Sequence, residues 1–137
     1  TKYNKASLVC LDEPELRLAV SDKNSSIDSL ISKLEKKVNY KSIVITLGPQ
    51  GILVKNKQLK TLFKDVKLSA FELDPIDTIG AGDAVFGIAS VLCSINSDTR
   101  VVAFLGNIFG ALTTKILGHS DYIKKKQVTK TIQYSLK

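Results

Sequence analysis

The chain has 137 residues, 44% of them apolar and 24% charged, which is ordinary globular composition and enough for one domain with its own core. Its formal net charge of +7 favours anionic partners, but the lysines are scattered as on a solvated surface, and only Lys124–Lys126 cluster. No apolar run reaches the roughly 18 residues of a membrane span, no signal peptide is read, and no aromatic-interleaved basic motif for nucleic acid is visible.

Ala6–Leu11 reads as a short buried strand. Asp12 follows, with Pro14 in the next turn and Glu15 three residues on, which is a helix start. Leu16, Leu18, Ala19 and Val20 give that helix its apolar content. Ser25 or Ser26 caps a second helix, with Asp28 placed for a capping box with Ser25. Ile27, Leu30, Ile31, Leu34 and Val38 put its apolar face on a sheet. Ser42–Leu47 is β-branched and apolar, a central strand. It runs into Gly48-Pro49-Gln50-Gly51, a turn at the carboxyl end of a strand, where α/β sheets bind ligands. The same four residues are also plain turn chemistry. Ile52–Val54 and Leu59–Phe63 flank Lys55–Gln58 as a hairpin, and Val66–Leu73 reads as a further strand.

The most informative stretch is Asp77-Thr78-Ile79-Gly80-Ala81-Gly82-Asp83, followed by the apolar run Ala84–Ile95. Gly80 and Gly82 let the backbone turn tightly and approach a ligand. The run after them is apolar nearly all round, as in a buried helix. A glycine loop opening onto a helix leaves backbone N–H groups aimed off the helix end, an anion site that suits phosphate. Asp83 in the first turn is favoured by the helix dipole. Amides that hold developing negative charge, beside a carboxylate that takes a hydroxyl proton, suit phosphoryl transfer. The plain alternative is a tight turn capped by an aspartate.

Beyond this helix, Asn96–Asp98 is a turn and cap. Val101, Leu105, Ile108, Leu112 and Ile116 recur at helical spacing, with Asn107 among them. Gly118 stands as a C′ residue, and His119 fits a helix carboxyl end without a chemical role. Val128, Ile132 and Leu136 mark a closing helix. Cys10 and Cys93 lie in apolar runs as small hydrophobes. No Cys/His spacing supports a metal or disulfide, which points to a reducing cytoplasm.

The run Asp77–Asp83, continued by Ala84-Val85-Phe86-Gly87, resembles the DTxGAGD signature of the ribokinase-like (PfkB) carbohydrate kinases. Thr46, Gly48 and Gly51 match that family's T-x-G-x-x-G segment, and Asp12-x-x-Glu15 its N-x-x-E motif with Asp in place of Asn. The resemblance implies the carboxyl-terminal half of a three-layer αβα fold, with a mainly parallel sheet and a β-hairpin. It implies an ATP-dependent kinase of a sugar or sugar-phosphate hydroxyl. Asp83 would be the general base, with Gly80, Ala81 and Gly82 forming the anion hole. Thr46, Gly48, Gly51, Thr78 and Asn107 would line the nucleotide. Glu15 and Asp12 would support Mg²⁺ through water, although helix capping explains both equally. Asp77, with the Gly118–Ser120 loop, would hold a monovalent cation such as K⁺. Complete members are about twice as long, so the chain reads as one half of such an enzyme, inactive alone and homodimeric when complete. The sugar-binding residues would lie in the other half. Faint likeness of Leu11–Leu18 and Gly106–Ala111 points toward the heptose-phosphate kinases. Rival readings are a non-catalytic nucleotide-binding half-domain, an NAD(P)H-hydrate dehydratase-like lyase on the same scaffold, and a basic nucleic-acid binder. Neither a P-loop nor a protein-kinase H-R-D sequence is present.

Overall fold

The computed structural model describes residues 4–59, 65–71, 75–117 and 120–136. In chain order the elements are β1 (Lys5–Asp12), α1 (Glu13–Val20), α2 (Ile27–Glu35), β2 (Asn39–Thr46), β3 (Ile52–Asn56), β4 (Asp65–Leu68), α3 (Ala81–Ser94), α4 (Thr99–Thr113) and α5 (Lys125–Ser135). Local chemistry sets several boundaries. Asp12 Oδ1 accepts from the Glu15 N–H at 2.7 Å, and Glu15 Oε2 accepts from the Asp12 N–H at 2.9 Å. This reciprocal box starts α1 and ends β1. Ser26, not Ser25, caps α2, accepting from Ser29 N–H. Ser25 instead donates to Asp22, and Asp28 is drawn to Lys55 at 2.9 Å, so the Ser25–Asp28 box does not form.

The strands make one sheet in the order β1-β2-β3-β4. β1 and β2 are parallel, joined by a crossover through α1 and α2 as parallel pairing demands. β3 runs antiparallel to β2, and β4 antiparallel to β3. Among the described residues the sheet is therefore mixed rather than mainly parallel. The links after β2 are too short for a crossover, so the chain must turn back. The expected hairpin turn is also displaced. Lys55 and Asn56 extend β3, and β3 pairs with 65–68, placing Ile52 opposite Leu68 and Lys55 opposite Asp65. Asn56 is buried and its Oδ1 accepts from the N–H groups of Gln58 and Leu59, so it shapes the exit of the strand. Residues 60–63 of the expected second arm lie outside the described residues.

β2 is the centre of the molecule. Ile43, Val44 and Ile45 are fully buried. Ile43 and Ile45 join the core beneath α1 and α2, with Leu16, Leu30 and Leu34. Val44 joins the opposite core, with Ile52, Val54, Val85, Ala89 and Val102. The alternation of a strand thus serves two cores and makes three layers, helices–sheet–helices. Each fully buried aliphatic side chain contributes about 1.5–3 kcal/mol, so the β-branched run of β2 anchors both. α4 packs closely on α3 and the sheet at Gly106 and Gly110, where an added Cβ would stand 3.0 Å from Ile52 Cδ1 and 3.1 Å from Val85 Cγ2. α4 ends at Thr113, a turn earlier than the apolar repeat through Ile116 suggests. Gly118 and His119, expected at its carboxyl end, lie outside the described residues.

Candidate active site

Gly80 is the N-cap of α3 and holds φ 81°, a left-handed conformation that suits glycine and turns the incoming chain into the helix. That incoming chain is fixed before it arrives. The N–H groups of Ile76 and Asp77 both donate to the Thr114 carbonyl at the end of α4, at 2.7 and 3.0 Å. Asp77 Oδ1 then accepts from the Ile79 N–H at 2.9 Å, a local turn that sets up the loop. The Ala81 N–H reaches the Thr78 carbonyl at 3.3 Å, and the Ala84 N–H the Gly80 carbonyl at 3.0 Å. The N–H groups of Gly82 and Asp83 have no acceptor among the described residues. They are the orphan donors of a helix start, aligned with its positive dipole end.

Asp83 is exposed, one turn into α3. It faces a cleft of about 210 Å³ whose near wall is Ile79, Gly80 and Ala84 and whose far wall is Thr113, Ile116, Asp121, Tyr122 and Ile123. The far wall comes from the end of α4 and the link to α5. It is not legible in the sequence. Its residues share no motif and meet the glycine loop only because α4 returns across α3. Asp121 is paired with Lys124 at 3.0 Å, which holds its carboxyl below the usual range together with the Tyr122 N–H.

The carboxyl ends of β1 and β2 lie side by side. Asp12 and Thr46 are register partners across the parallel pair. Glu15 and Asp83 both act on the Cys10 thiol from this end of β1. Burial first, then the charge of Glu15, the neighbouring Cys93 and the charge of Asp83 push Cys10 up to about 12. At neutral pH it is a protonated thiol and a poor nucleophile.

The other expected nucleotide contacts are brought to the far side of the sheet end. Gly48 and Gly51 flank a single 3₁₀ turn, with φ of 55° and 99°. A Cβ on Gly51 would stand 2.0 Å from the Leu68 carbonyl oxygen, so this glycine is required by the close approach of β4. Asn107 is buried, and its Nδ2 donates to the Ser69 carbonyl at 2.5 Å. Gly51 and Asn107 thus grip the same short segment after β4. Gly48, Pro49 and Gln50 remain open to solvent.

For Mg²⁺, the fit is to an ion held through water. The capping box occupies one oxygen each of Asp12 and Glu15 and leaves the others, and Mg²⁺ commonly takes one or two carboxylates, several waters and substrate phosphates. Among the described residues no group of three His, Cys, Asp or Glu stands ready to cage a metal directly.

Comparison with known proteins gives the family and the fold. Residues 2–125 match the family model described as pfkB family carbohydrate kinase. The chain is 27% identical over 121 residues to the Arabidopsis thaliana protein named "Probable fructokinase-4", covering 82% of this chain and 34% of that one. It is 25% identical over 121 residues to "Bifunctional protein HldE" of Campylobacter curvus (strain 525.92), covering 86% of this chain and 25% of that one. The structure of phosphofructokinase-2 from Escherichia coli in complex with potassium superposes with a TM-score of 0.79 at 20% identity, covering 98% of this chain and 42% of that one. The chain therefore spans about a third of one of these curated relatives and a quarter of the other.

Proposed function

The chain belongs to the pfkB family of carbohydrate kinases, and on that premise we propose that it is the nucleotide-binding and catalytic part of an ATP-dependent kinase of a sugar or sugar-phosphate hydroxyl. The observation that carries this reading is the exposed Asp83, set in an open cleft next to the unpartnered amides of Gly82 and its own backbone. Asp83 takes the proton from the acceptor hydroxyl as it attacks the γ-phosphoryl group. A positioned base of this kind is worth about 10²–10⁴ in rate. The Gly80–Asp83 backbone receives the charge on the transferring phosphoryl group, with the Gly82 and Asp83 amides best placed to donate.

Thr46, Gly48 and Gly51 border the nucleotide at the strand ends, with Thr78 and Asn107. Asn107 acts there chiefly by holding the Ser69 segment, since its amide is already engaged. Asp12 and Glu15 orient the waters of Mg²⁺, which when bound neutralises phosphate oxygens. Asp77, whose backbone is tied to Thr114, helps hold a monovalent cation. That phosphofructokinase-2 from Escherichia coli is known in complex with potassium supports a cation in this fold, and Asp77 is the residue to which we assign it. The likeness to a probable fructokinase accords with a hexose acceptor, and the faint resemblance of Leu11–Leu18 and Gly106–Ala111 to the heptose-phosphate kinases accords with a heptose phosphate. Both relatives extend far beyond this chain, and residues outside it select the sugar. A cytoplasmic location belongs to the same proposal, from the kinase reading; no described helix is long and apolar enough to cross a membrane. The 137 residues alone do not complete the acceptor site and do not turn over.

The test is an amide-resolved NMR titration with ATP, with and without Mg²⁺. Saturable, Mg²⁺-dependent shifts at Gly80–Asp83 and Thr46–Gly51 are expected. Shifts confined to the Lys124–Lys126 region and abolished by salt would contradict the reading and favour a non-specific basic surface.

A further inference from the structure

A second cavity, of about 430 Å³, opens at the amino ends of β1 and β2 and is lined by Lys5, Ser7, Asn39, Lys41, Lys57 and Gln58 around Tyr40. β1 runs eight residues from Lys5 to Asp12, so this cavity lies about 23 Å of strand away from the end that carries Asp12 and Glu15, at about 3.3 Å per residue. Three lysines meet here, and their charges are poorly matched. Lys57 lies 4.0 Å over the Tyr40 ring, with Glu35 at 3.4 Å. Glu35 is shared, because its Oε1 also accepts from the Tyr40 hydroxyl at 2.8 Å. Lys41 donates to the side-chain carbonyl of Asn96, a neutral acceptor just past α3. Neither Lys41 nor Lys5 has a carboxylate partner among the described residues. Asp65, which also bears on Tyr40, faces Lys55 at 3.9 Å instead. The cavity therefore keeps a surplus of positive charge, and a concave surface of one sign concentrates the opposite ion.

We infer that this cavity is a second anion site, separate from the glycine loop, and that its ligand carries a phosphate group. Lysine binds phosphate as a point charge, whereas planar carboxylates are better matched by the fork of arginine, and no arginine lines this cavity. The volume falls in the range of about 300–1,000 Å³ typical of small-molecule sites. Ser7, Asn39 and Gln58 add neutral hydrogen-bonding groups beside the charge, which suits a phosphate ester bearing hydroxyls as well as the free ion. The inference rests on neither the kinase reading nor Asp83 as base.

The test is an amide-resolved NMR titration of the complete polypeptide that carries these residues, at about 0.15 M salt to screen loose attraction. Inorganic phosphate and glycerol 1-phosphate are the two probes, with sodium chloride as the control. Saturable shifts are expected at residues 5–7, 39–41 and 57–58. Tighter binding of glycerol 1-phosphate assigns the site to an ester, and equal binding assigns it to the free ion. Lys5→Gln combined with Lys41→Gln should raise the half-saturating concentration at least about tenfold, the loss of two charged contacts. Lys5→Gln alone, at an exposed position, should raise it less, and serves if the double variant does not fold. Shifts that do not saturate, or that sodium chloride reproduces, overturn the proposal. So does saturation indifferent to both lysine variants, or a response confined to Gly80–Asp83, which would leave phosphate only the catalytic cleft.

Discussion

Gly51 shows how one residue can carry two explanations. Its place in a T-x-G-x-x-G pattern reads as a nucleotide contact, but its φ of 99° and the 2.0 Å approach of a Cβ to the Leu68 carbonyl are reasons of packing. Gly51→Ala should lose at least about 1–3 kcal/mol from the backbone strain alone, read as a lower urea midpoint. Unchanged stability would mean that the glycine is there for the ligand only. Asn107 is similar. Its helical position was legible from the apolar repeat, but its hold on Ser69, 38 residues away in sequence, was not. Asp83 was the most legible candidate, because an acid one turn into a glycine-opened helix has a local physical meaning. The facing wall at Asp121–Ile123 was illegible, because nothing local distinguishes it.

Elements whose signals are local were read nearly in place. The start of α1 follows from Asp12, Pro14 and Glu15, all within one turn, and the box they form is the one observed. This makes Asp12 a useful discriminator. Asp12→Ala should cost about 0.5–2 kcal/mol of stability, whereas Asp12→Asn, an equally good cap, should cost little. If Asp12 also steadies Mg²⁺, the Asn variant of the complete enzyme will keep its thermal midpoint and need more Mg²⁺ for half-maximal turnover. An unchanged Mg²⁺ requirement would leave capping as its whole role. β3 and β4 were read less well. Lys55 and Asn56 resemble turn residues, but Asn56 is buried at the end of a strand and Lys55 reaches Asp28 from within one. Tertiary pairing with 65–68 overrides their weak turn preference.

At the scale of the molecule, the three layers were foreseeable from an apolar strand flanked by amphipathic helices, and β2 does serve two cores. The mixed sheet was less so, because strand direction depends on which segments pair, and that is a long-range choice. The whole arrangement converges on one place. The end of α4 ties down the chain before Gly80, β1 ends beside Glu15 and near Asp83, and α3 offers its free amides to the cleft between them. The most direct measurement is phosphoryl transfer by the complete enzyme carrying Asp83→Asn, with ATP affinity measured in parallel. The account predicts a folded protein with near-normal ATP affinity and kcat lower by about 10²–10⁴. Turnover within a fewfold of the parent would contradict it and remove Asp83 from the role of base.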